Sequence, residues 1–161
     1  MTDTAVKHDG RQLTITREFA APRQLVYDAF TQPDQIVKWW GPRGFTTTVT
    51  TMEVRPGGTW HYLMRSPEWG DAWGVATYQE VTPPERLVYT DAFSDESGAV
   101  NPDLPVATNT VDFTEDDGRT TLTIRTDYAS EEDLRKVLEM GVVEGISSQF
   151  ERLDDLLSSA A

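Results

Sequence analysis

At 161 residues, with 38% apolar and 25% charged side chains, the chain has the length and balance of one globular domain. It contains no cysteine, which excludes disulfides, thiolate metal sites and cysteine nucleophiles and suits a reducing cytoplasm. With 27 acids against 14 bases and a net charge of −13, there is no surplus of Lys and Arg for a nucleic-acid backbone or an anionic membrane surface.

The opening stretch is polar, lacks the apolar core of a signal peptide, and reads as a disordered tail over residues 1–9. A single domain is expected over 10–161, and no run of ~18 apolar residues could span a bilayer. A cytoplasmic location is therefore expected. Leu13, Ile15 and Phe19 alternate with polar residues as a first strand does. Pro22 suits the first turn of a helix, and Leu25, Val26, Ala29 and Phe30 follow at helical spacing. Gln32-Pro33-Asp34 ends that helix and opens a second short one, which finishes at Trp39-Trp40-Gly41-Pro42.

A long β region follows. Phe45 to Val54 is rich in Thr and Val, Arg55-Pro56-Gly57-Gly58 reads as a hairpin turn, and Thr59 to Arg65 returns. Trp73–Val81, Arg86–Phe93, Thr108–Phe113 and Thr120–Asp127 supply four more strands, with Pro83-Pro84-Glu85 and Asp116-Asp117-Gly118 as turns. The acidic stretch Ser94–Pro105 reads as a lid or binding loop.

Ser130 is placed to cap a last helix, with Glu131, Glu132 and Asp133 in its first turn. The helix reads as unbroken to about Ser158, ~40 Å long, with Leu134, Leu138, Val142, Ile146, Leu153 and Leu156 on one stripe against the sheet. Gly141, Gly145 and Gln149 interrupt that stripe. They fit close packing with a hydrogen-bonded Gln, or a cavity with Gln149 as a polar contact, and spacing does not choose between the two.

Several stretches resemble the START-like (SRPBCC) superfamily, and within it the family named for the activator of the 90-kDa heat-shock protein's ATPase. They are Arg17-Glu18-Phe19-Ala20-Ala21-Pro22-Arg23 leading into Val26-Tyr27-Asp28-Ala29-Phe30-Thr31, then Trp39-Trp40-Gly41-Pro42, Arg55-Pro56-Gly57-Gly58, and Pro83-Pro84-Glu85-Arg86-Leu87-Val88-Tyr89-Thr90. Gly141 to Gly145, followed by Leu153 and Leu156, completes a series that keeps the family's order. The resemblance implies an α+β helix-grip fold: a curved antiparallel sheet wrapped around a long C-terminal helix, with two short helices after the first strand. It also implies ligand carriers, cyclases, resistance proteins or chaperone activators, and a link to stress response. Ile146 departs from the pattern, since many relatives carry Trp there, which would reshape the cavity floor.

No His-x-His or His-Glu-x-x-His spacing, nucleophile elbow or dinucleotide fingerprint is present, so no metal or cofactor is expected and nothing demands catalysis. Aromatics are abundant, Trp69 among them, and on one strand Trp60, Tyr62 and Met64 share a face opposite His61 and Leu63. Period alone leaves open which face points inward. The leading expectation is a binder of a lipid-like, polyketide-like or aromatic molecule. Its candidate lining is Trp39, Trp60, Tyr62, Met64, Trp73, Tyr78, Tyr89 and Phe93 from the first helices and the sheet. The last helix would add Leu138, Gly141, Val142, Gly145 and Gln149. An alternative is a cyclase or hydrolase using His61, Tyr62 or Asp91 as acid–base groups. A chaperone-partner module is the third reading, and a homodimer is compatible with so small a domain although no coiled-coil seam marks one.

Overall fold

A computed structural model describes residues 4–68 and 70–160, so Trp69 lies outside the described residues. Eight strands form one antiparallel sheet: β1 (Ala5–Asp9), β2 (Gln12–Phe19), β3 (Thr46–Met52), β4 (Thr59–Ser66), β5 (Gly70–Thr82), β6 (Arg86–Ser94), β7 (Ala107–Asp116) and β8 (Arg119–Tyr128). Their order across the sheet is β1-β2-β8-β7-β6-β5-β4-β3. Helices α1 (Arg23–Thr31) and α2 (Pro33–Ile36) follow β2, and α3 (Glu131–Glu139) and α4 (Val142–Ala160) close the chain. This is the helix-grip α+β architecture. Register shifts between Val49 and Thr51 and between Tyr78 and Glu80 mark bulges, which bend and twist a sheet toward closure.

Two expectations are corrected. Ala5–Asp9 is not a tail: it pairs with β2 from Ala5↔Thr16 to Asp9↔Gln12, while Met1–Asp3 lie outside the described residues. Four of its five residues are exposed, as befits an edge strand recruited by backbone pairing rather than by apolar burial. The last helix is broken. Ser130 does cap α3, its Oγ accepting from the Asp133 N–H at 3.1 Å, but the chain leaves the helix at Met140 and Gly141. Gly141 has φ +86°, the left-handed conformation that commonly ends a helix and that glycine adopts without a Cβ penalty. Its role is therefore a break between α3 and α4, not extra room under one long helix.

Strand alternation settles the inward face. Leu13, Ile15 and Phe19 of β2, Leu87 of β6, Val111 and Phe113 of β7 and Leu122 of β8 are each no more than 2% exposed. Phe30 of α1 packs edge-on to Phe113 at 5.3 Å, and Phe150 of α4 packs edge-on to Phe19 at 5.8 Å. Arg17, also inward and only 4% exposed, pairs with Asp154 of α4 and lies over the Phe19 ring. This ion pair ties the C-terminal half of α4 to β2. That end of the grip is closed.

Candidate functional site

The other end is different. Met64 of β4, Asp91 and Phe93 of β6, Leu138 of α3, and Val142 and Ile146 of α4 all belong to the concave side, yet each keeps solvent contact. Between them the pairing places one inward-facing row across the sheet: Trp60↔Ala76↔Asp91↔Ala107↔Tyr128. Asp91 thus sits between two alanines, with a Trp and a Tyr beyond them. The next row, Tyr78↔Tyr89↔Asn109↔Thr126, is polar as well, and the Thr126 hydroxyl donates to Asn109 Oδ1 at 2.7 Å. A polar floor is set into an apolar concave face.

Tyr62 completes it. Its hydroxyl donates to Asp91 Oδ1 at 3.3 Å. The phenol lies directly over Gly74 on the neighbouring strand, where any Cβ would stand 2.3 Å from Cζ. A glycine inside a strand often marks such a close approach. Trp60 and Tyr62 lie 4.6 Å apart, and Trp40 packs edge-on to both, at 4.7 and 5.9 Å.

Trp40 is held by α4. Gln149 Oε1 accepts the Gly41 N–H at 2.7 Å, and Ser148 Oγ accepts the Arg43 N–H at 2.9 Å. The Arg152 guanidinium donates to the Gly41 and Phe45 carbonyls at 2.8 and 3.2 Å. Gly145 faces this segment, where a Cβ would make only ordinary contact with Pro42 Cγ at 3.4 Å. Gln149 is thus a latch that fixes the Trp39–Pro42 turn, satisfying a buried amide that would otherwise cost about 1–3 kcal/mol.

Electrostatics follow from burial. Desolvation pushes the Asp91 carboxyl up to about 6, against the hydrogen bonds from Tyr62 and the Ala92 amide that favour its ionised form. Tyr62 and Tyr89 are raised well above the ordinary phenol value, by burial first and by the Asp91 charge next. Burial also pushes Tyr128 up to about 12, with Asp91 adding to it. The tyrosines are therefore neutral donors, and Asp91 changes charge near neutrality. The Trp60 indole N–H is buried without a hydrogen-bond partner.

With that geometry in place, the comparisons decide the family. The description "activator of Hsp90 ATPase homolog 1-like protein" matches residues 20–158. The chain belongs to this family. Among solved structures, protein Ms6760 from Mycobacterium smegmatis is 42% identical, with TM-score 0.89, covering 98% of this chain and 97% of its own. A protein from Arthrobacter aurescens is 33% identical, with TM-score 0.90 and coverage of 96% and 91%. One from Staphylococcus epidermidis is 27% identical, with TM-score 0.86 and coverage of 98% and 95%. No protein of curated function matches significantly. As a member of the Hsp90 ATPase activator-homologue family, the chain is a START-like binding domain.

In this family member the sequence-predicted residues divide. Trp60, Tyr62, Tyr89 and Asp91 come together, Phe93 faces the same side, Met64, Leu138 and Val142 pack at the edge of the core, and Tyr78 packs edge-on to Tyr89 at 6.0 Å. Trp39 does not line it: its indole N–H donates to the Ala29 carbonyl at 2.9 Å and its ring packs on Phe30. His61 and Trp73 are on the opposite face, stacked at 5.0 Å, where His61 Nε2 lies 3.1 Å from the Asp95 carbonyl oxygen of the acidic loop. The strand period that sends Trp60 and Tyr62 inward sends these outward. An acid–base role at the concave site therefore falls to Asp91 and Tyr62 alone among the three named groups.

Sequence reasoning missed Trp40 as a wall and Asn109, Thr126 and Tyr128 as floor, along with the small residues Gly74, Ala76 and Ala107. The signal available was Gly74, an isolated glycine in a strand. An open groove of 690 Å³ on the outer face is lined by charged residues including Arg86, Asp112 and Arg125, and both arginines pair with Asp112.

Proposed function

We propose that the protein binds a small, mostly apolar molecule at the open end of the grip, between the polar floor of the sheet and the α3–α4 junction. The observation that carries this is solvent contact at side chains facing inward from both layers: Met64, Asp91 and Phe93 below, Leu138, Val142 and Ile146 above. Aromatic and aliphatic walls with a few convergent polar groups are the usual makeup of such sites. Val106 and Met140, both exposed, lie at the end of the 95–106 loop and at the helix break. Lys136 of α3 donates to the Asp103 carbonyl at 3.2 Å, joining these two segments.

A thermal-shift screen against fatty acids, sterols, flavonoids and polyketide aromatics tests the reading. A ligand at about 100 times its dissociation constant adds about 2.7 kcal/mol, hence a midpoint rise of about 5–10 °C at this chain length. A saturable rise that depends on ligand structure is expected. A flat response across the panel would sink the reading and favour the chaperone-partner role named in the family description.

One observation favours an enzymatic variant of the same site. A carboxyl at about 6, hydrogen-bonded to a neutral phenol, is poised to take or give a proton near neutral pH. Turnover of a compound that shifts the midpoint, lost in Asp91→Asn, would establish it.

A further inference from the structure

Asp91 brings a negative charge to the concave face without a positive partner. The ion pairs among the described residues all use other carboxylates. Its own hydrogen bonds come from the Tyr62 phenol, at a long 3.3 Å, and from the Ala92 amide. Every other polar group of the floor is neutral: Asn109 and Thr126 are engaged with each other, and Tyr62, Tyr89 and Tyr128 stay protonated.

The row geometry sets small side chains beside this charge and rings beyond them. Asp91 is bracketed by the methyl groups of Ala76 and Ala107, and beyond them stand the large rings of Trp60 and Tyr128. Aromatic faces attract a cation through the ring quadrupole, most strongly where water is excluded. A neutral hydroxyl would leave the carboxylate charge uncompensated among these rings, whereas an ammonium supplies opposite charge and hydrogen-bond donors together. A chain of net charge −13 concentrates cations rather than anions around it.

We propose that the molecule held over Asp91 is an organic cation: a protonated amine on an aromatic or aliphatic body, its ammonium against the Asp91 carboxylate and flanked by Trp60, Tyr62, Tyr89 and Tyr128. This rests on the binding reading above and adds the charge of the ligand's head group to it. The body of the ligand lies against Met64, Phe93, Val142 and Ile146.

The test is calorimetric titration of naphthylethylamine and of its neutral isostere naphthylethanol into the wild-type protein and into Asp91→Asn. Wild type is expected to favour the amine by about tenfold or more, the worth of one charge-assisted contact. In Asp91→Asn that preference is expected to vanish, with the alcohol's affinity held within about threefold, since the substitution changes charge and not shape. Equal affinities for amine and alcohol in wild type would overturn the cation proposal and leave the binding reading standing, and that comparison needs no variant. A preference that survives in Asp91→Asn would also overturn it, by placing the ammonium elsewhere. Binding of neither probe would overturn the binding reading for aromatic bodies, and this inference with it.

Discussion

Asp91→Asn is expected to make the protein about 1–3 kcal/mol more stable at about pH 7.5, the solvent contact of Asp91 discounting the full shift, and to leave it unchanged near pH 4. The carboxyl has an ordinary value of 3.8 and stands at about 6 when folded, because burial disfavours its charged form. Between about 4 and 6 the folded protein holds a proton that the unfolded chain has released, so this group's contribution falls as pH rises through that window. Above it the full cost of the buried charge is present, and removing the charge removes the cost. Urea unfolding of both proteins at about pH 7.5, 6 and 4.5 measures the difference directly, since all other titrating groups are common to both. A variant less stable than wild type at neutral pH, or a difference independent of pH, would show that Asp91 is compensated in a way the geometry does not contain.

Gly74→Ala is expected to cost about 2–3 kcal/mol, at the upper part of the usual range for overpacking, and to abolish ligand binding. The added Cβ would meet Tyr62 at 2.3, 2.5 and 2.7 Å from Cζ, the hydroxyl oxygen and Cε2. The phenol must leave, taking with it the hydrogen bond to Asp91 and its packing against Trp60 at 4.6 Å. A double-mutant cycle isolates this cause. In a Tyr62→Ala background the ring is already gone, so Gly74→Ala should cost little there, with a coupling of about 1–3 kcal/mol. Equal costs in both backgrounds would mean that Gly74 is needed for its backbone and not for the room it leaves Tyr62.

Most of the architecture was legible because the elements around the core obey their own periods. Leu13, Ile15 and Phe19 alternate as an inward strand face must, and Ser130 followed by three acids caps a helix by chemistry that needs no tertiary information. Strand β1 was hidden because Ala5–Asp9 buries almost nothing and owes its place to backbone pairing. The helix break was hidden because an α-helix can carry glycine at modest cost, so Gly141 alone does not announce a left-handed turn.

The site was legible only in part, and for a different reason. Trp60, Tyr62 and Met64 were grouped correctly on one face, but the choice of inward face depends on what the rest of the fold covers. Here the 95–101 loop covers His61, through the contact with the Asp95 carbonyl, and so the outer face carries buried residues too. Asp91, Asn109 and Thr126 are polar at inward positions, where an alternation rule expects apolar residues, and that conflict is often the mark of a functional site. Gln149 was the same conflict with a structural answer, a buried amide spent on the Gly41 N–H.

Methyl NMR spectra of the protein, recorded with and without a saturating amount of the strongest ligand from the thermal screen, test the central claim most directly. Binding at the open end predicts shifts for Leu138, Val142 and Ile146 at the α3–α4 junction, and none for Val111 and Leu122 at the closed end. Shifts at Val111 and Leu122, or shifts confined to residues around the outer groove, would contradict it.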